Sequence, residues 1–342
     1  MSSVDRSDIS RDNGTCALTH AAGIRESRKF FSLVLGSPVT SGSDDDGSLE
    51  DLLTGLQLFL KKTWNIWGVS TMFNFNFDDD IKIKQYAKIL REQVAHILSQ
   101  EDVSYVATFK VLDIPKPNDS DHPVIMIKVQ AQTMGKESRE SCVYEGYFFS
   151  WRSGTTCEPS DNTGKLPLLL CRGTANTMRA VHSILGHMFD CLFVALPTNE
   201  EDLKWLLPIL IRATEEEYKA DSETEAMLEY LVPYLPTSNS ITVKFHIKKL
   251  IQLWRSLWGK QDKILGEEVE KFHEILHSQA REITGLQLEL CLLNKIILPS
   301  ITISANKMKV TSVNAMNTVL TYLNEKAMDA LYINTTQFST SK

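Results

Sequence analysis

Apolar positions along the chain fall into blocks whose period changes from helical to alternating and back. Leu49, Leu52, Leu53, Leu56, Phe59 and Leu60 recur at helical spacing. Met72–Phe77 alternates as a strand, and Tyr86, Ile89, Leu90, Ile97 and Leu98 mark a second amphipathic helix. Three strands are predicted over Val103–Ile114, Val124–Gln132 and Cys142–Trp151, joined by segments that hold Pro115, Pro117, Pro123 and Gly135. Leu166–Cys171 reads as a buried strand, Thr174–Met188 as a helix and Cys191–Ala195 as a strand. Glu200–Tyr218 reads as a helix disturbed by Pro208, and Glu225–Val232 fits strand or helix. PYLPTSNS, residues 233–240, is the best linker. After it come a strand over Ile241–Ile247, helices over Lys249–Trp258 and Glu267–Ile283, strands between Leu286 and Val313, and a helix near Ala315–Leu331.

Antiparallel strand runs mixed with helices predict an α+β class: two mixed α/β domains with largely antiparallel sheets. The expected division is a disordered tail over 1–47, an N-terminal domain over 48–235, a C-terminal domain over 236–334 and a flexible end over 335–342. The tail mixes Ser, Asp, Arg and Gly around one apolar island at Phe30–Leu35 and buries too little to offset its ordering entropy. Ser37-Pro38 within it is a minimal proline-directed kinase site.

Composition narrows the function classes. Of 342 residues, 43% are hydrophobic and 23% charged, as in soluble globular proteins. No apolar run approaches the ~20 residues of a membrane span, so no membrane partner is expected. The six scattered cysteines form no C-x-x-C pair, which reads as reduced intracellular thiols. A net charge of −7 argues against an autonomous nucleic-acid binder. It leaves room for a local basic face: Lys84, Lys88 and Arg91 recur at i, i+4 and i+7 on one helix and are the candidate DNA-contact residues.

One motif has a catalytic look. His273-Glu274-Ile275-Leu276-His277 matches the H-E-x-x-H of zinc hydrolases, in which two histidines on one helix face bind metal and Glu acts as base. Its surroundings weigh against it. Val269, Phe272, Leu276 and Ile283 set the apolar face, with His273 on its flank and His277 further toward solvent. A third ligand is available only from Glu282 or Glu289. His182, His187, Asp190 and Cys191 form a second cluster, interleaved with Phe189, Leu192 and Phe193, which reads as core. Neither a nucleophile elbow nor a phosphate loop is present. No catalytic residue, metal or cofactor is therefore expected, and a zinc-dependent hydrolase stands as the alternative. Trp64 and Trp67 are placed around a helix end, and Trp254 and Trp258 on a helix.

Several segments together carry a family resemblance: LKKTWNIWGVSTMFNFNF (60–77), GYFFSW, LPLLLCRGTANT, FDCLF (189–193), LKWLLPIL (203–210), ITVKFHIKKLIQLW (241–254), EEVEKFHEIL and VLTYLNEKAMDAL. On these residues the chain resembles the centromere protein L family of inner-kinetochore subunits. The resemblance implies a non-catalytic scaffold of the nucleus, at the centromere and kinetochore. It implies pairing with centromere protein N through the C-terminal domain by strand-to-strand sheet extension. It also implies docking on centromere protein C and the H-I-K-M kinetochore subunits, and contact with centromeric DNA and the nucleosome through the complex. Histidines at 273 and 277 are not part of the family pattern. An exposed strand edge offers unpaired N–H and C=O groups to a neighbour. Leu286–Leu292, Ile301–Ser304 and Lys307–Val313 are dense in β-prone residues, and the last is expected to supply that edge, with Met308, Val310, Leu286 and Leu288 as partner-binding residues. KMKVTSV is expected to be irregular, not a clean two-faced strand.

Overall fold

The computed structural model describes residues 54–99, 102–118, 121–133, 140–151, 163–218, 224–236, 238–258 and 264–337. The expected tail, its kinase dipeptide and the first residues of the first expected helix, up to residue 53, lie outside these residues.

The fold is α+β and built on one long sheet. After a short helical turn come β1 (Thr63–Val69), β2 (Met72–Phe73), α1 (Asp80–Leu98), β3 (Val103–Val111), β4 (Ile125–Thr133) and β5 (Glu140–Phe149). Next are β6 (Thr163–Gly164), β7 (Leu168–Gly173), α2 (Ala175–Phe189), β8 (Phe193–Ala195) and α3 (Glu200–Ala213). The remainder is β9 (Glu225–Leu231), β10 (Ser240–His246), α4 (Ile247–Leu257), α5 (Gly266–Thr284), β11 (Leu292–Leu298), β12 (Ile301–Ser304), β13 (Lys307–Val310) and α6 (Val313–Gln337). The strand order is β10-β9-β11-β12-β13-β1-β7-β5-β4-β3, with β8 against β1, and every pairing is antiparallel.

The helix starts have local causes. Asp79 caps α1 by accepting from the amides of Ile81 and Lys82. Asn199 and Asp202 form a reciprocal capping box at α3. Pro208 sits inside α3 without ending it, and a separate 3-10 turn over Glu215–Tyr218 follows.

Strand β1 joins the two halves of the chain. It pairs with β7 on one side and with β13 on the other, through Thr63–Lys309, Trp64–Met308 and Asn65–Lys307. Periodicity missed this strand, placing its tryptophans at a helix end. The reason is its position: a central strand covered on both faces shows little alternation, and Trp64, Ile66, Gly68 and Val69 are all buried. Trp64 is fully buried and donates its indole N–H to the Phe59 carbonyl at 2.8 Å.

One core cluster draws on both halves, combining Trp64, Tyr147 and Phe149 with Leu228, Phe272, Ile296 and Leu320. A second lies over β3, β4, β5 and β7 beneath α1 and α2. Helix α6 fastens the halves further. Asn324 Oδ1 accepts from the Trp151 amide at 3.1 Å, and Asn317 Oδ1 from the Trp151 indole at 3.0 Å. Buried Asp202 accepts from Tyr322 Oη at 3.0 Å and pairs with Lys326. Buried charge is tolerated only when compensated in this way.

The segment expected as a linker, 233–240, connects β9 and β10 as an antiparallel hairpin and enters β10 at Ser240. The sheet runs through the boundary expected at 235/236. Residues 335–337, expected in a flexible end, continue α6.

Gly173 on β7 tests the sheet geometry. Its φ is +154°, and a Cβ there would lie 2.4 Å from the Val143 carbonyl oxygen. Gly173→Ala is predicted to destabilise the fold by ~2 kcal/mol or more, read as a lowered melting temperature; an unchanged melt would contradict the described packing.

Candidate partner interface

Backbone pairing decides which strands can accept another chain. Strand β13 is paired on both sides, by β12 and by β1. Met308 and Val310 are 1% and 0% exposed, and both point into the core. They are not edge residues, which corrects the expected docking strand. The expected irregularity is corrected too: β13 alternates regularly, with Lys307 and Lys309 out and Met308 and Val310 in. Leu288 is also buried, in a 3-10 turn, and of the four expected partner residues only Leu286 reaches solvent.

Among the described residues the strand path ends on β10 and β3, and the short β8 pairs with β1 alone. Strand β10 pairs with β9 through seven registered residues, Ser240–Leu231 to His246–Glu225, and no described strand lies beside its other edge. Ile241, Val243 and Phe245 are half-buried against the core, whereas Ser240, Thr242, Lys244 and His246 face outward. Lys244, the kind of charge that guards edges, is paired with Glu225 at 2.9 Å. Sequence reasoning registered this segment as a strand but not as the edge, because edge status depends on which strand pairs where.

The basic face holds together geometrically. Lys84, Lys88 and Arg91 are all exposed on α1, and Arg91 Nη2 lies 3.6 Å from Glu92 Oε1. Helix α1 packs on β3 and α2, at the end of the sheet away from β10. Nine strand spacings separate β3 from β10, or ~43 Å at ~4.8 Å each in a flat sheet.

The H-E-x-x-H helix is built for packing. His273, expected on the flank, is 4% exposed within α5. Its Nε2–H donates to the Lys204 carbonyl on α3 at 2.9 Å, and its Nδ1 is buried without a partner. Burial is the main cause that pulls its imidazole down to about 4, so the ring is neutral at pH 7. His277 meets Tyr230 Oη at 3.3 Å, and burial lowers its pKa as well. Among the described residues, no group of three or more His, Cys, Asp or Glu side chains is placed to hold a metal ion. The zinc reading finds no support in this arrangement, in which His273 Nε2–H fastens α5 to α3.

His182 is structural in the same way. It stacks on Phe193 at 4.8 Å, meets Tyr144 Oη at 3.3 Å, and is lowered to about 4 by burial. The Trp254 ring is buried edge-on against Phe272, and the Arg212 guanidinium lies 3.8 Å over Trp258. Among the described residues no helix is long and apolar enough to cross a membrane.

A family model described as Centromere protein L matches residues 58–328. A Xenopus tropicalis protein named Centromere protein L is 26% identical over 238 residues, which cover 65% of this chain. The chain spans 65% of the length of that relative.

The neutral histidines give a pH prediction. Their folded values lie below the unfolded value near 6.5. Their contribution is therefore complete above pH ~6.5 and is lost as pH falls toward about 4, because the unfolded state takes up the protons. The wild-type unfolding free energy is predicted to fall between pH 7 and pH 4.5, as read by denaturant titration. His273→Gln, which keeps an N–H donor for the Lys204 carbonyl, should flatten that fall by ~2 kcal/mol. An equally steep fall in the variant would contradict the neutral buried ring.

With the match running from the turn before β1 into α6, and so through both halves of the continuous sheet, the chain belongs to the centromere protein L family.

Proposed function

We propose that the protein is a non-catalytic scaffold of the inner kinetochore that pairs with centromere protein N by sheet extension along the outer edge of β10. As a member of the centromere protein L family it is a centromere component of the nucleus. The observation that carries the pairing is the free edge of β10, a seven-residue strand without proline or bulge and with its single lysine paired inward to β9. Such an edge offers backbone donors and acceptors that a second strand satisfies. Of the described strands with one partner in the long sheet, β10 lies in the C-terminal part, where the family resemblance puts the pairing, and β3 and β8 do not.

The pair docks on centromere protein C and the H-I-K-M subunits and contacts centromeric DNA. The exposed Lys84, Lys88 and Arg91 face of α1 supplies phosphate contacts at the other end of the sheet. Strand partner and DNA then occupy separate surfaces and do not compete. No substrate is transformed: the one catalytic-looking motif is committed to packing α5 on α3.

Thr242→Pro and Val243→Pro, made separately, test the pairing. Adjacent amides in a strand point to opposite sides, so one variant removes an outward N–H while leaving the ladder to β9 intact. That variant is predicted to melt like wild type yet fail to co-elute with co-expressed centromere protein N on size exclusion. Co-elution by both folded variants would overturn the reading. For DNA, Lys84→Glu, Lys88→Glu and Arg91→Glu combined are predicted to weaken binding by the complex. The slope of log K against log salt should flatten by ~2–3. An unchanged slope removes this face from the account.

A further inference from the structure

We infer that the docking surface extends beyond the β10 edge onto an apolar corner made by the β9–β10 hairpin and the lead-in to β11, with Tyr234 as its anchor. This rests on the strand-addition reading above. The occupant is the partner chain that adds the strand, presenting an apolar segment where its strand ends.

Area is the first reason. A seven-residue edge is a strip ~23 Å long and ~4.8 Å wide. Its footprint, on the order of 100 Å², falls well short of the ~800 Å² per partner of a stable interface. Adjoining surface must contribute, and the corner is the apolar surface continuous with the edge.

The register builds that corner. Leu231 faces Ser240 of β10 on one side and Leu292 of β11 on the other. Beyond this row the hairpin carries Tyr234 and Leu235, and the chain entering β11 carries Leu290. Tyr234 is fully exposed, Leu290 is 65% exposed, and Leu235 and Leu292 are each about half exposed. Large apolar side chains scattered singly over a surface need no explanation; four gathered along one hairpin and the adjoining start of β11, beside an open edge, mark an interaction site.

Backbone conformation is the second, independent reason. Tyr234 has φ +66°, in the left-handed region. Gly or Asn takes that conformation cheaply and a tyrosine does not. The hairpin turn therefore accepts strain at the residue whose ring it holds in solvent. Strain retained at an exposed aromatic signals a contact made elsewhere, and tyrosine is among the residues enriched at interface hot spots.

The test separates this corner from the edge. Tyr234→Gly relieves the strained φ, so its melting temperature is predicted to stay level or rise. Its affinity for co-purified centromere protein N is predicted to fall at least ~10-fold. Leu290→Ser with Leu292→Ser should fall by a similar factor. Wild-type affinity in both, alongside loss of binding in the folded β10 proline variant, would overturn the corner and leave the strand addition standing. Wild-type affinity in all of these variants would overturn both. Sedimentation of the isolated wild-type chain is predicted to give a monomer; a dimer that Tyr234→Gly dissociates would assign the corner to a second copy and overturn the proposal.

Discussion

The structure depends on the seam between β1 and β13. Three residue pairs there carry backbone pairing from the N-terminal half of the chain into the C-terminal half. Because backbone N–H and C=O groups must be satisfied when buried, this seam converts two sets of strands into one sheet with two ends. Trp64 lies within it, fully buried, with its indole N–H satisfied by Phe59. Asn317, Asn324 and the Asp202–Lys326 pair fasten α6 across the same region. The seam thus withdraws β13 from the surface and leaves β10 and β3 as the open edges.

That arrangement gives the proposed scaffold two separate surfaces. At one end lies the β10 edge, with exposed apolar side chains around its corner. At the other, α1 carries three exposed cations on successive turns. In the proposed assembly the sheet between them separates a strand-donating partner from a phosphate backbone by ~43 Å in a flat-sheet estimate, so binding at one need not obstruct the other. The histidines in the interior fit this picture, since each is neutral, buried and used for packing.

Much of the element order was legible because most elements have one covered face. Strands β3 and β4 and helices α1, α2, α4 and α5 leave their period in the sequence, and β7 is legible as a short continuous apolar run. Strand β1 left little trace because its apolar residues divide between the two faces, Trp64 and Ile66 toward one core and Trp67 and Val69 toward the other, with Asn65 and Gly68 between them. Met72–Phe77 shrank to the two residues of β2 because only those find a partner, in β6. The position of β10 at the end of the sheet was illegible for a different reason. KMKV and SITVKFH look alike as strands, and only the long-range pairing of Thr63–Asn65 with Lys307–Lys309 makes one interior and the other terminal. The basic face of α1 was legible, being a local pattern on one helix. The burial of His273 was not, because it depends on the carbonyl of Lys204, sixty-nine residues earlier in the chain.

The central claim is that unfinished hydrogen bonds on β10 are completed by a partner strand. Amide hydrogen exchange across Ser240–His246, alone and with centromere protein N bound, tests it most directly. The account predicts that alternate amides of β10, exchanging freely in the isolated chain, become strongly protected in the complex while β3 is unchanged. Protection confined to β3, or absent from β10 in a saturated complex, would contradict it.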